Sequence, residues 1–191
     1  MMDKYKMLAL FGKSSAGKDT IQKYLIMTYP IRVNGIISYT TRPKRDYEKN
    51  GVDYFFTNPV EFGKKVLNGT MLEATCFNDW FYGTPIESLK KNMLNVGVFN
   101  IEGIECLLQD PRLDILPVYI HCQDKIRLQR SLDRENDIDC HEVCRRFLED
   151  EKDFANIDFS YVTFDNSYNQ DRINIFNIPE IFNFVKDTIG Q

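Results

Sequence analysis

YKMLALF at 5–11 is almost wholly apolar, so it predicts a buried first strand. Apolar positions from Ile21 to Met27 then predict a helix that stops before Pro30, with the glycine-containing stretch 12–17 lying between strand and helix. Two later helices announce themselves at their first residues. Asn58 precedes Pro59 with Glu61 three positions on, and Thr84 precedes Pro85 with Glu87 in the capping-box position. NVGVFNI (95–101), DILPVYIHC (114–122) and FSYVTF (159–164) predict further core strands, and IPEIFNFVKDTI (178–189) has the apolar spacing of a closing helix. Strands alternating with helices imply an α/β layer architecture with parallel strands. Two stretches break this pattern. Between about 35 and 95, short β-like runs (GIISYTT, VDYFF, MLEAT) are separated by basic or glycine-containing loops, as in an inserted lobe; between about 127 and 150 lies a charged, arginine-bearing helical segment with few large apolar residues, expected to be solvated and mobile.

With 191 residues, 43% of them hydrophobic, the chain can bury one sizeable core, and a single domain over 1–191 is expected. A net charge of -4 gives no bulk attraction to nucleic acid, so an anionic ligand must be met by a local basic site. Five scattered cysteines are an odd number in a mid-sized chain and suit a reducing compartment. MMDKYKMLALFGK has neither the length nor the cleavage site of a signal peptide, and no stretch approaches about 18 uninterrupted apolar residues. A cytoplasmic location without a membrane partner is the expectation.

The stretch FGKSSAGKDT (11–20) nearly matches the phosphate-cradling loop G-x-x-x-x-G-K-[ST]. Such a loop converges backbone N–H groups on phosphate oxygens at a helix N-terminus, while its lysine bridges the terminal phosphates. Gly12, Lys13, Ser14, Ser15, Ala16, Gly17 and Lys18 supply that pattern, followed by Asp19 in place of Ser or Thr, and then Thr20. Asp19 and Thr20 are hard oxygen donors for Mg²⁺; alternatively Asp19 caps the helix.

A second anion site is suggested by SYTTRPKRDYEKNGVDYFF, where Arg42 and Arg45 offer planar forks to a phosphate and Tyr54 a hydroxyl. MLEATCFNDWFYGTPIESL follows, with Glu73 in a strand-like run ahead of Phe81-Tyr82-Gly83-Thr84. With the glycine loop, the Ser-x-Thr-Thr-Arg-x-x-Arg run at 38–45, the Asn-Gly-x-Asp-Tyr run at 50–54 and the late arginines, these segments resemble the guanylate kinase family in order over nearly the whole chain.

The resemblance implies a three-layer P-loop NTPase fold: a parallel central sheet in a core of about 1–34, 96–126 and 151–191, an inserted mixed α/β monophosphate-binding lobe at about 35–95, and a helical lid at about 127–150. It implies ATP- and Mg²⁺-dependent phosphoryl transfer to GMP or dGMP. Glu73 falls at the carboxylate that reads guanine, chemistry that suits an acceptor facing both N1–H and the exocyclic amine. Ser38 and Thr84 match hydroxyls at the base; Arg42, Arg45, Tyr54 and Tyr82 match the holders of the monophosphate; Arg134 and Arg145 match the lid arginines. The family's Asp-x-Asp after the lobe is here Asn100-Ile101-Glu102, so Glu102 keeps a charge that Asn100 lacks. With Lys18, Arg42, Arg134 and Arg145 managing charge and the acceptor's own phosphate oxygen as nucleophile, no general base is required.

Cys140, His141 and Cys144 with the His121-Cys122 pair match no standard zinc spacing. Two rival functions remain at this level. One is a broader deoxynucleoside monophosphate kinase, suggested by Asp19 and Asn100; the other is a catalytically silent module that binds phosphorylated proteins, against which the Gly17-Lys18 pair stands.

Overall fold

A computed structural model of the chain describes residues 4–77, 79–133, 139–167 and 175–189. Along it lie Tyr5–Phe11 (β1), Lys18–Thr28 (α1), Val33–Gly35 (β2), Tyr39–Thr40 (β3), Phe55–Phe56 (β4), Pro59–Leu67 (α2), Met71–Phe77 (β5) and Trp80–Pro85 (β6). Leu94–Val98 (β7), Ile101–Leu108 (α3), Leu113–His121 (β8), Asp124–Asp133 (α4), Cys140–Asp153 (α5), Val162–Asp165 (β9) and Pro179–Ile189 (α6) complete it.

Five strands form one parallel sheet in the order β2-β7-β1-β8-β9. Its central strand β1 shows why YKMLALF carries no polar alternation. Leu8 and Leu10 point to one face, against Ile21 and Leu25 of α1 and Ile181 and Val185 of α6; Met7, Ala9 and Phe11 point to the other, against Ile104 and Leu107 of α3. Both faces are covered, so every position from Met7 to Phe11 is buried, and the expected three-layer architecture is present.

A second, four-stranded sheet, β4-β3-β6-β5, is built from the stretch that breaks the pattern. Its β5–β6 hairpin pairs Glu73 with Thr84 and Ala74 with Gly83. Helix α2 starts as its sequence predicts, with the Asn58 side chain accepting from the Glu61 N–H at 2.9 Å. The helix expected from Thr84, however, is not there: Thr84 belongs to β6, and only a single 3₁₀ turn, Ile86–Ser88, follows. Pairing of β6 with both β5 and β3 satisfies the backbone there, and the Asn95 side chain then binds the N–H and carbonyl of Lys90, turning the chain back toward β7. A ladder formed by distant residues outcompetes a three-residue capping signature.

The charged segment forms α4 and α5. Asp139 caps the latter, accepting from the N–H of His141 and of Glu142. Its solvated character is only partial, because Arg127 and Asp150 are among the buried residues. No helix of the described residues is long and apolar enough to cross a membrane.

Candidate active site

The turn from β1 into α1 is shaped by its glycines. Gly12 adopts φ 149°, where a Cβ would lie 2.5 Å from the Ile120 carbonyl oxygen, and Gly17 adopts φ 98°, where a Cβ would run into the Asn166 amide. Between them Ser15 also takes a left-handed φ of 59°. This curls the loop around the N-terminus of α1, so its N–H groups and the helix dipole favour an anion at the same place. Lys18 lies across the mouth, its Nζ donating to the carbonyls of Gly12 at 2.7 Å and Lys13 at 3.0 Å. Asp19 does not cap the helix. Gly17 holds the N-cap position without a side-chain cap, and exposed Asp19 and Thr20 stand in the first turn, facing solvent.

Two cavities meet at this loop. The larger, about 990 Å³, is bordered by Ser14, Ser15, Gly17, Lys18, Asp19 and Thr20 on one side, Arg42, Arg45, Tyr54 and Tyr82 opposite, and Arg130, Arg145 and Arg146 from α4 and α5. The smaller, about 440 Å³, takes in Gly12, Ser14, Lys18, Ser38, Glu73, Thr75, Asn100 and Glu102, and shares Tyr54 and Tyr82 with the larger. The sequence-predicted residues therefore converge, with three exceptions in orientation. Lys13 pairs with Glu151 of α5, Ala16 is fully buried, and Thr84 sits behind Glu73 and lines neither cavity. Lys13 and Ala16 shape the loop through their backbone, where the Ala16 N–H donates to the Lys13 carbonyl at 3.2 Å. Arg134 lies outside the described residues.

Arg42 and Arg45 are preorganised by a residue that sequence reasoning did not single out. Glu48, 6% exposed, accepts from Arg42 Nη2 at 2.7 Å and Nη1 at 3.1 Å and from the Arg45 N–H at 2.8 Å. Arg42 also stacks over the rings of Tyr54 and Phe56, at 5.6 and 5.7 Å. Burial would push the Glu48 carboxyl up, but the hydrogen bonds and charges of Arg42 and Arg45 outweigh it and hold the group below the usual carboxylate range. The i,i+3 spacing from Arg45 to Glu48 was the available signal. Because the folded-state pKa is depressed, the stabilisation is present above the ordinary carboxylate pKa and is lost as pH falls through the folded one. Glu48→Gln should therefore lower unfolding stability by about 2 kcal/mol at pH 7, with a narrower gap to wild type at pH 3. Urea unfolding at the two pH values checks this, and equal stability at pH 7 would remove Glu48 as the organiser of the loop.

Glu73, 7% exposed, faces the smaller cavity. Burial pushes its carboxyl up to about 7, against the lowering effect of hydrogen bonds from the Thr84 hydroxyl and N–H and with a further upward push from Glu102. Ser38 Oγ lies 3.0 Å from Thr84 Oγ1, so a hydroxyl relay backs the carboxylate. Asn100 caps α3 by accepting from the Gly103 N–H at 2.8 Å and donates to Thr75 Oγ1 at 3.0 Å. Burial, then Asp19 and Tyr82, push the Tyr54 phenol upward, so it stays a neutral hydroxyl at the cavity wall. On α5, Arg145 is paired with Glu142 and Glu149.

The arrangement offers one cradle for a polyphosphate, a second cationic site across a cavity from it, and a buried carboxylate beside that second site. A family model described as guanylate kinase matches residues 4–175. A guanylate kinase of Malacoplasma penetrans is 42% identical over 88 residues, 46% of this chain and 45% of that protein, so the chain matches about half the length of that relative. A guanylate kinase of Mycoplasma pneumoniae is 30% identical over 175 residues, covering 89% of this chain and 73% of that protein. Among solved structures, a guanylate kinase from Anaplasma phagocytophilum aligns with 100% of this chain and 89% of its own, at a TM-score of 0.66 and 17% identity, a likeness of fold.

Proposed function

The chain belongs to the guanylate kinase family, and on that premise we propose that it transfers the terminal phosphoryl group of ATP to GMP or dGMP, giving ADP and GDP or dGDP. The observation that carries the assignment to a guanine nucleotide is Glu73, a buried carboxylate facing the smaller cavity beside the arginine site. A carboxylate accepts from both N1–H and the exocyclic amine of guanine, a pair of donors that adenine does not present.

In this reading residues of about 35–95 form the monophosphate-binding lobe, about 127–150 the lid, and the remainder the core, a division supported by the two separate sheets. Arg42 and Arg45, held by Glu48, grip the acceptor phosphate, with Tyr54 and Tyr82 completing its wall. The N-terminus of α1, the loop N–H groups not held by Asp150 or the Lys13 carbonyl, and Lys18 grip the donor phosphates. Arg145, with Arg134, brings positive charge from the lid. The nucleophile is a phosphate oxygen that is already ionised, so the residues act by alignment and by offsetting charge between two anions that repel each other. Excluding water as the lid closes protects ATP from hydrolysis.

Magnesium fits the donor set. Asp19 and Thr20 border the larger cavity, and the Asp19 carboxylate is not engaged in capping α1. One carboxylate and a hydroxyl suit a cation that keeps much of its water and takes its other ligands from phosphates. When bound, the ion lowers the net charge of the polyphosphate; Asp19 and Thr20 would hold it at the loop.

An ADP-release assay with ATP, Mg²⁺ and GMP, dGMP, AMP, CMP or dTMP tests the proposal. Turnover confined to GMP and dGMP is expected. Comparable turnover of the other bases would replace it with a broad monophosphate kinase, and phosphopeptide binding without ATP binding would replace it with a silent recognition module.

A further inference from the structure

Four consecutive residues of the phosphate loop are tied to side chains from outside it. Lys13 pairs with Glu151, Ser15 Oγ lies 2.7 Å from Ser131 Oγ, and the Ala16 carbonyl accepts from Asn166 Nδ2 at 2.7 Å. The grip on Ser14 differs in kind. Its N–H donates to Asp150 Oδ2 at 2.9 Å, its hydroxyl to Asp150 Oδ1 at 3.1 Å, and its carbonyl accepts from Arg127 Nε at 2.9 Å. Arg127 Nη2 in turn meets Asp150 Oδ2 at 2.5 Å, its Nη1 meets Asp124 at 2.8 Å, and its guanidinium lies over the Phe147 ring. One ion pair, with Arg127 fully buried and Asp150 3% exposed, thus holds the peptide groups on both sides of a single residue of the cradle.

We propose that Arg127 and Asp150 are positioning residues that couple the packing of α4 against α5 to the shape of the ATP-phosphate loop. Stability alone does not account for them. Desolvating two charges offsets most of their attraction, and apolar pairs of similar volume commonly serve as well or better. What an apolar pair lacks is direction: three hydrogen bonds orient Ser14 and the peptide groups on either side of it, and Ser14 borders both cavities. The two partners also sit on different helices. Asp150 lies one turn beyond Arg146 on α5, and Arg146 borders the larger cavity. A helix moves as a rigid body, so any shift of α5 that carries Arg146 relative to the cavity also pulls on the Ser14 N–H through Asp150. The cradle is held in its present shape only while α4 and α5 are packed as they are.

This inference rests on the reading of the loop as the ATP site, and its test separates the two. Arg127→Lys keeps the charge but loses the fork that reaches Ser14, Asp124 and Asp150 together; Arg127→Met with Asp150→Leu replaces the pair by apolar packing. Both are compared with wild type by thermal unfolding, by calorimetric titration with ATP without acceptor, and by steady-state kinetics. The double variant is expected to unfold within a few degrees of wild type yet bind ATP about tenfold more weakly, with kcat reduced about tenfold and the KM for GMP little changed. Arg127→Lys should weaken ATP several-fold, which also decides the matter if the double variant fails to fold. Wild-type ATP affinity and kcat in Arg127→Lys would overturn the proposal and leave the pair a structural one. A wild type that binds ATP but leaves GMP untouched would refute the acceptor assignment, while ATP affinity in the variants would still judge the pair.

Discussion

Lys18→Ala is expected to lower kcat for GMP phosphorylation by about 10³-fold, the upper end of what removal of one preorganised charge contact costs an enzyme whose catalysis is electrostatic. The lysine borders both cavities, at the N-terminus of α1 and across the mouth of the loop. Its ammonium is held by the carbonyls of Gly12 and Lys13, so it stands near the phosphates before they arrive and little reorganisation is needed. Removing it also takes a donor from each of those carbonyls, and ATP affinity should fall along with kcat. Lys18→Arg should not restore turnover, since a planar fork does not fit where a compact ammonium meets two carbonyls. Steady-state rates at saturating GMP provide the check, and an alanine variant within tenfold of wild type would reduce the loop to a glycine turn.

Glu73→Gln is expected to cut kcat/KM for GMP by about 10³-fold while leaving the already poor turnover of AMP nearly unchanged. The carboxylate offers acceptors to both guanine donors, whereas a glutamine amide turns one of them into a donor facing a donor. A site built around specific hydrogen bonds loses far more than the bond itself when one group is left opposed in a buried place. The Thr84 and Ser38 hydroxyls enforce the difference, because their relay already donates to Glu73 from behind and cannot reverse without a new partner.

The same residue predicts a pH profile. With its carboxyl raised to about 7, Glu73 holds a proton over a window from the ordinary carboxylate pKa up to about 7. Folding stability falls across that window as pH rises, since the unfolded chain releases the proton first. Guanine binding runs the other way: it needs the ionised form, so affinity rises as pH passes upward through 7. At pH 6 about a tenth of the sites are ionised, and the KM for GMP should be about tenfold above its value at pH 8.5. The second ionisation of the nucleotide phosphate, near pH 6, acts in the same sense. Glu73→Gln is therefore the control: its remaining pH dependence belongs to the phosphate, and a profile as steep as wild type would show that Glu73 does not titrate in this range.

Much of this site was legible in the chain because its signals are local. A seven-residue apolar run, two glycines at fixed separation and a lysine determine the strand, the left-handed turn and the helix N-terminus by backbone sterics alone, and β1, the loop and α1 lie where the pattern puts them. The caps at Asn58 and Asp139 likewise depend on contacts over two or three residues. Arg42 and Arg45 were marked by their side-chain chemistry, whatever the fold around them.

Tertiary structure decided the rest, wherever the outcome depended on residues far apart. Thr84 carries a helix-start signature but joins a strand, because its partners Glu73 and Ser38 lie on other strands and loops of the second sheet. Asp19 resembles a cap until Gly17 takes that place. Arg127 and Asp150 look like members of a solvated charged run, and become a buried pair where the fold packs both against Ser14, 113 and 136 positions away. Short-range pattern carries backbone conformation and residue chemistry; whether a charge is buried, and what its pKa becomes, is set by which distant groups the fold brings to within about 3 Å of it.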